Sequence, residues 1–223
     1  MSDRVRKFIL KNSFLYIIAL ILALKIYDVE EIGPASTEIG LSGVNEWFRG
    51  LFDHSDTLGY SGFWYGALRV TAYASIAVCL VWIALFVREM IKSGRLDGVG
   101  TDKNLMATFF LYVITALICV VLRFLPVNYA PILREGQRTA SPSFPASYVL
   151  LIIISMGSTA FHAWDIWGEK KNIAKAISVL CIIVTAFGLL SGLLCGVYWF
   201  TDIIGAILFG VMLLMLYSFF FDL

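Results

Sequence analysis

Ser191-Gly-Leu-Leu-Cys-Gly-Val-Tyr-Trp-Phe-Thr-Asp-Ile-Ile-Gly205 opens the last apolar run of this chain and places Ser191, Tyr198, Thr201 and Asp202 at its mouth. Some twenty mostly apolar residues, about one membrane crossing, follow from Asp202. A carboxylate there is costly to bring near hydrocarbon, so it is expected to face a bundle interior or a wet cavity. An ionisable residue so placed marks a functional site by default.

Working outward, the composition agrees with a membrane setting. Of 223 residues, 60% are hydrophobic and 15% charged, and the mean hydropathy is +0.84. One soluble core cannot bury that much apolar surface. A formal net charge of +1, with no clustered basic run, argues against nucleic acid as a partner. Cys79, Cys119, Cys181 and Cys195 stand singly in or beside apolar segments, the pattern of small packing residues rather than of disulfides or metal ligands. His54 and His162 are far apart and each lacks a ligand set, so neither a metal nor a cofactor is expected. His162, three residues before Asp165 on one helix face, reads as a local polar contact.

Six segments are long and apolar enough to span: about 8–27, 65–87, 105–123, 146–166, 173–191 and 202–221. The expectation is an all-α membrane bundle forming a single domain over 1–223. The first run follows a basic start, but acidic Asp28-Val-Glu-Glu31 rather than a small-residue cleavage site comes after it, so it reads as a retained anchor. Lys and Arg fall before the first span (Arg4, Arg6, Lys7, Lys11), between the second and third (Arg88, Lys92, Arg95, Lys103), and between the fourth and fifth (Lys170, Lys171, Lys175). Those loops, and both termini, are expected in the cytoplasm, with the 28–64, 124–145 and 192–201 connections outside.

The first outward connection is acidic, with Arg49 its single cation. Within Ser42-Gly-Val-Asn-Glu-Trp-Phe-Arg-Gly-Leu-Phe-Asp53, Val44, Trp47, Phe48, Leu51 and Phe52 recur at helical spacing behind Ser42 as a cap. This stripe suits a helix in the lipid headgroup zone, or one packed on the bundle ends; both need the same pattern. The 124–145 connection holds Pro126, Pro131, Pro142 and Pro145, so it is a structured loop and not a span. Arg69, Arg123, Arg134 and Arg138 lie outward and could hold a phosphate-bearing headgroup, pair with the acidic loop, or snorkel to the interface.

These motifs resemble the type 2 phosphatidic acid phosphatase superfamily, six-helix membrane enzymes that hydrolyse lipid phosphates and pyrophosphates. That family carries Lys, six residues, Arg-Pro; then Pro-Ser-Gly-His; then Ser-Arg, five residues, His, three residues, Asp. Here Arg123 with Ala130-Pro131, then Pro145-Ala146-Ser147-Tyr148, then Ser191-Gly192 with Tyr198 and Asp202 stand at those spacings. Val127-Asn-Tyr-Ala-Pro-Ile132, Gly196-Val-Tyr-Trp-Phe-Thr-Asp-Ile-Ile-Gly205 and Gly33-Pro-Ala-Ser-Thr-Glu-Ile-Gly-Leu-Ser42 look especially like a bacterial branch.

The resemblance implies a nucleophilic imidazole where Tyr198 stands, an acid where Tyr148 stands, and phosphate-clamping arginines where Ala130 and Gly192 stand. A phenol titrates near 10 and needs strong activation to attack phosphorus. Losing one electrostatic donor costs about a hundred- to a thousandfold. The expectation is therefore a catalytically degenerate protein of the bacterial cytoplasmic membrane. It would bind a polyprenyl (undecaprenyl) or glycerolipid headgroup, or serve as a subunit of a cell-envelope lipid or glycan assembly complex with a membrane-protein partner. The alternatives are a divergent lipid phosphatase or phosphotransferase using Tyr198 and Asp202, and a structural or channel-like subunit. The expected pocket is lined by Tyr148, Ser147, Ser191, Tyr198, Thr201 and Asp202, with Arg123, Arg134 and Arg138 as ligand-binding candidates.

Overall fold

A computed structural model describes residues 2–52, 59–93, 102–133 and 137–220. Six long helices carry the apolar runs: α1 (Asp3–Ile26), α3 (Gly62–Ser93), α4 (Lys103–Phe124), α5 (Ser147–Trp167), α6 (Lys171–Cys195) and α7 (Phe200–Tyr217). All six are long and apolar enough to cross a membrane. The six expected apolar runs thus reappear as helices with ends shifted by one to six residues, most at α3, which runs on to Ser93; α6 runs to Cys195 and takes Gly192 into the helix. The turn to α7 is only Gly196 to Trp199, with Gly196 left-handed at φ 75° closing α6.

α5 and α7 form the centre: 56% and 50% of their apolar windows are buried, against 17% to 33% elsewhere. Their faces meet at small residues. A Cβ on Gly205 would lie 2.3 Å from the Phe144 ring, so only glycine lets the loop before α5 approach α7 so closely. The outward faces stay apolar: Leu22, Val70, Leu80, Leu117 and Ile182 are all exposed. Side chains of that kind over a whole bundle suit lipid as the surrounding solvent.

Between α1 and α3 lies a short antiparallel hairpin, β1 (Glu30–Gly33) and β2 (Thr37–Ile39), followed by α2 (Ser42–Arg49). The helix expected there exists, but Ser42 is not its cap. Leu41 precedes it in the left-handed region at φ 52°, and the carboxylate of distant Asp28 accepts the Gly43 N–H at 2.8 Å. α2 packs on the end of the bundle by one face and leaves the other exposed. Asn45 and Ser42 are buried on the bundle, while Val44, Trp47 and Leu51 are exposed. His54, with Asp53 and Asp56, lies outside the described residues, as do Arg95 and Arg134.

The proline-rich connection folds as a narrow ribbon. Ala130 N–H donates to the Ser141 carbonyl at 2.9 Å and Ser143 N–H to that of Asn128 at 3.0 Å, with Pro142 opposite Tyr129 between these bonds, an extended pairing that proline tolerates where a helix would not.

Candidate functional site

The three motif regions meet at one end of the bundle, around the first turn of α7. Asp202 is 0% exposed. Its Oδ2 accepts the Trp199 N–H at 3.1 Å, its Oδ1 accepts from Asn128 Nδ2 at 3.3 Å, and its carbonyl accepts the Ala146 N–H at 3.0 Å. The carboxylate satisfies an orphan donor at the helix start and ties the proline loop to it, while the backbone carbonyl ties in the start of α5.

Tyr198 is 8% exposed and lines a cleft of about 10 Å³ with Asn45, Phe48, Arg49, Gly196 and Phe200. A single water needs about that much space. α2 forms its roof. Arg49 Nη1 donates to the Gly196 carbonyl at 2.8 Å and Nη2 to the Gly59 carbonyl at 2.7 Å, with the guanidinium 5.7 Å from the Trp199 ring centre. Burial pulls the Arg49 pKa below its ordinary value. Asn45 Oδ1 accepts the Thr201 N–H at 3.2 Å, and Phe48 stacks on Phe200 with ring centres 4.5 Å apart. Ser191 Oγ and Thr201 Oγ1 are buried without a hydrogen-bond partner among the described residues, a cost of roughly 1–3 kcal/mol each.

Tyr148 stands elsewhere. It is half-buried and lines an apolar groove of about 410 Å³ between α3, α4 and α5, together with exposed Ser147. It hydrogen-bonds with Tyr73, to which Arg69 Nη2 donates at 3.1 Å. Arg123 lines an adjoining, more polar cleft of about 210 Å³ with Pro142, Pro145 and Ser147. Tyr198 and Tyr148 therefore line different cavities, and Ser191, Thr201 and Asp202 line neither. Ala130 and Ala146 are buried; Pro131 is half-buried and Arg138 is exposed. A Cβ on Gly192 would meet Val149 Cγ2 at 2.8 Å, so helix packing occupies the space a longer side chain would take.

The sequence singles out Arg49 and Arg69, but two relations of theirs, legible in the spacing, were missed. Arg49, the lone cation of an acidic loop, follows Asn45 by one helical turn. Tyr65, Arg69 and Tyr73 share one face of α3, with the guanidinium 5.6 Å from each ring centre. At the opposite end of the bundle His162 is 1% exposed, stacked on Trp82 at 4.0 Å. Its Nε2 meets Thr108 Oγ1 at 2.7 Å and Tyr217 Oη at 3.4 Å. Asp165, the residue expected beside it, accepts from Asn104 Nδ2 at 2.9 Å.

Together the six apolar helices and this end of the bundle define an integral membrane protein with a lipid-phosphatase-like fold. The chain is similar to a transmembrane type 2 phosphatidic acid phosphatase (PAP2) from Bacillus subtilis, a phosphatidylglycerolphosphate phosphatase, at a TM-score of 0.65 and 13% identity over 95% of this chain and 94% of that one. No family model and no curated protein matches the sequence. The likeness shows the PAP2 fold, reached here with a widely diverged sequence.

Proposed function

We propose that this protein is a catalytically degenerate member of the PAP2 fold that holds a lipid headgroup, of glycerolipid or polyprenyl type, without hydrolysing it. The observation that carries the reading is the cleft at Tyr198. At about 10 Å³ it has room for one water at most and none for a phosphoryl group between a nucleophile and its clamp. Chemistry argues the same way. A phenol stands where the motif resemblance implies an imidazole, and Asp202 spends its oxygens on Asn128 and Trp199. The Lys/Arg distribution supports placing this end at the outer leaflet of a bacterial cytoplasmic membrane, with both termini inside.

A second reading, a divergent phosphatase, has one observation in its favour: Arg49 brings a cation into the Tyr198 cleft, the kind of group that Ala130 and Gly192 do not supply. Purified protein offered phosphatidic acid, diacylglycerol pyrophosphate and undecaprenyl pyrophosphate is expected to release no phosphate above a Tyr198→Phe control. Turnover abolished by that substitution would replace the first reading with the second.

A further inference from the structure

Polar atoms without a partner gather at one joint of this bundle. Among the described residues six buried side-chain atoms lack a hydrogen bond, and four of them, Asn128 Oδ1, Ser143 Oγ, Ser191 Oγ and Thr201 Oγ1, belong to the segments that meet around the start of α7. Two of the four residues converge on Asp202. Asn128 turns its amide nitrogen to Asp202 Oδ1 at 3.3 Å, and the Ser143 hydroxyl stands beside the same carboxylate without closing a hydrogen bond to any described group. The two are tied to each other, Ser143 N–H donating to the Asn128 carbonyl at 3.0 Å. Asn128 and Asp202 are 0% exposed and Ser143 is 5% exposed. The carboxylate they surround has no cationic side chain on it. The ion pairs among the described residues are Arg6 with Asp3 and Lys92 with Glu89, and Arg49 spends its guanidinium on the Gly196 and Gly59 carbonyls. The start of α7 offsets about half a unit of charge. A buried carboxylate is ordinarily held by a paired or coordinated cation as well.

We infer that Asp202, Asn128 and Ser143 form a site for one monovalent cation of about sodium's size. The Asn128 amide is the moving part. Its Oδ1 has no partner to lose, and its Nδ2 bond at 3.3 Å is longer than the usual range of about 2.7–3.2 Å. The last torsion of an Asn side chain is broad and roughly two-fold, so a half turn puts Oδ1 where Nδ2 stands, about 3.3 Å from Asp202 Oδ1. Two oxygens that close are held by a cation they share. Neighbouring ligands in an octahedral shell of radius about 2.4 Å lie about 3.4 Å apart, whereas the tighter shell of Mg²⁺, about 2.0–2.1 Å, sets them near 2.9 Å. Ser143 Oγ supplies a third oxygen, and an all-oxygen set suits a hard cation rather than a transition metal. A single carboxylate balances a single positive charge. Such a cation would cross-link the proline loop to α7, beside the Ala146 N–H that already donates to the Asp202 carbonyl. The inference stands apart from the headgroup reading, because none of the three residues lines the cavities at Tyr148, Arg123 or Tyr198.

The full-length protein in detergent is equilibrated in choline chloride and melted while NaCl replaces choline chloride at constant ionic strength. The midpoint is expected to rise saturably, by roughly 4 °C once sodium is in tenfold excess over its dissociation constant. Ser143→Ala removes a hydroxyl that has no hydrogen bond to lose, so the variant should fold, and it should raise the sodium concentration at half effect about tenfold. Asp202→Asn should abolish the sodium response whatever its own midpoint. A midpoint that is the same in NaCl and in choline chloride overturns the site and leaves only ordered water for those oxygens. A sodium response undiminished in both variants places the cation elsewhere and overturns it too. A larger response to CaCl₂ than to NaCl, at equal concentrations of the cation, overturns the monovalent assignment.

Discussion

The two sides of the α5 N-terminus carry the same vocabulary, a tyrosine from a motif position and an arginine from outside the motifs, and use it in opposite ways. Beside Tyr198, Arg49 is folded inward onto two backbone carbonyls and a Trp ring, and the space left is about 10 Å³. Beside Tyr148, Arg69 is exposed and donates to the exposed Tyr73, above about 410 Å³ of apolar groove. The difference lies in what each guanidinium meets. Carbonyls at the end of α6 and before α3 satisfy the first, so it acts as a bolt; the second has donors left for a ligand. Motif spacing has been kept on both sides because it is also the spacing of the fold's joints. Asp202 shows this best, since its contacts to Asn128, Ala146 and Trp199 join three segments.

The comparison can be broken most violently at those joints. Combining Ala130→Arg, Tyr148→His, Gly192→Arg and Tyr198→His would rewrite both sides with the residues of the motifs they resemble. Ala130 is 2% exposed and Gly192 has Val149 within 2.8 Å of its absent Cβ. Two buried, unpaired guanidinium groups and overpacking should together cost more than about 4 kcal/mol. The expected outcome is loss of folded protein on size-exclusion chromatography, not a gain of phosphatase activity. Folded, active protein would show that the closed side retains a working site.

Asp202→Ala comes next. It strands Asn128 Nδ2 and the Trp199 N–H in a fully buried position and removes the start-of-helix acceptor, for about 3 kcal/mol of stability. A thermal melt in detergent should drop accordingly. Arg49→Ala should cost less, about 1–2 kcal/mol, because the carbonyls it leaves can turn to water at the surface. Its sharper readout is access: a cysteine at Tyr198 should resist a thiol reagent in the otherwise unaltered chain and react once Arg49 is gone.

How far the sequence discloses each side follows from what periodicity can report. Six apolar runs locate six helices because burial in lipid demands about twenty residues each, and the structure keeps all of them. Motif spacing locates the joints for the same reason, since Tyr148, Ser191, Tyr198 and Asp202 all sit at helix ends or in the last turn before one. What spacing does not report is which way a side chain turns at a helix start. Tyr148 heads toward α3 and Tyr198 toward α2, and a shared pocket drawn from both misses that divergence. The α2 cap was hidden for a related reason. Ser42 is the residue type that caps, yet Asp28, fourteen residues earlier, does so through a hairpin whose left-handed Asp28, Ala35 and Ser36 carry no distinctive local signature.

The smallest expected effect tests whether buried polarity in this bundle means ligand at all. At the end opposite Tyr198, Thr108 Oγ1 meets His162 Nε2 at 2.7 Å and approaches the Tyr217 hydroxyl at 2.6 Å, while its own hydroxyl also donates to the Asn104 carbonyl at 2.8 Å. Such contacts knit α4, α5 and α7 together as the Asp202 joint does at the other end, but they connect to no cavity described around the motif positions. Hydrogen bonds between membrane helices average about 0.6 kcal/mol and reach about 1.7, so Thr108→Val, nearly isosteric, should lower stability within that range. Lipid binding should not change. A shift in lipid affinity larger than the stability loss accounts for would show that the two ends are coupled through the α5–α7 core, and the division between a bolted side and an open side would then be a property of the whole bundle rather than of two arginines.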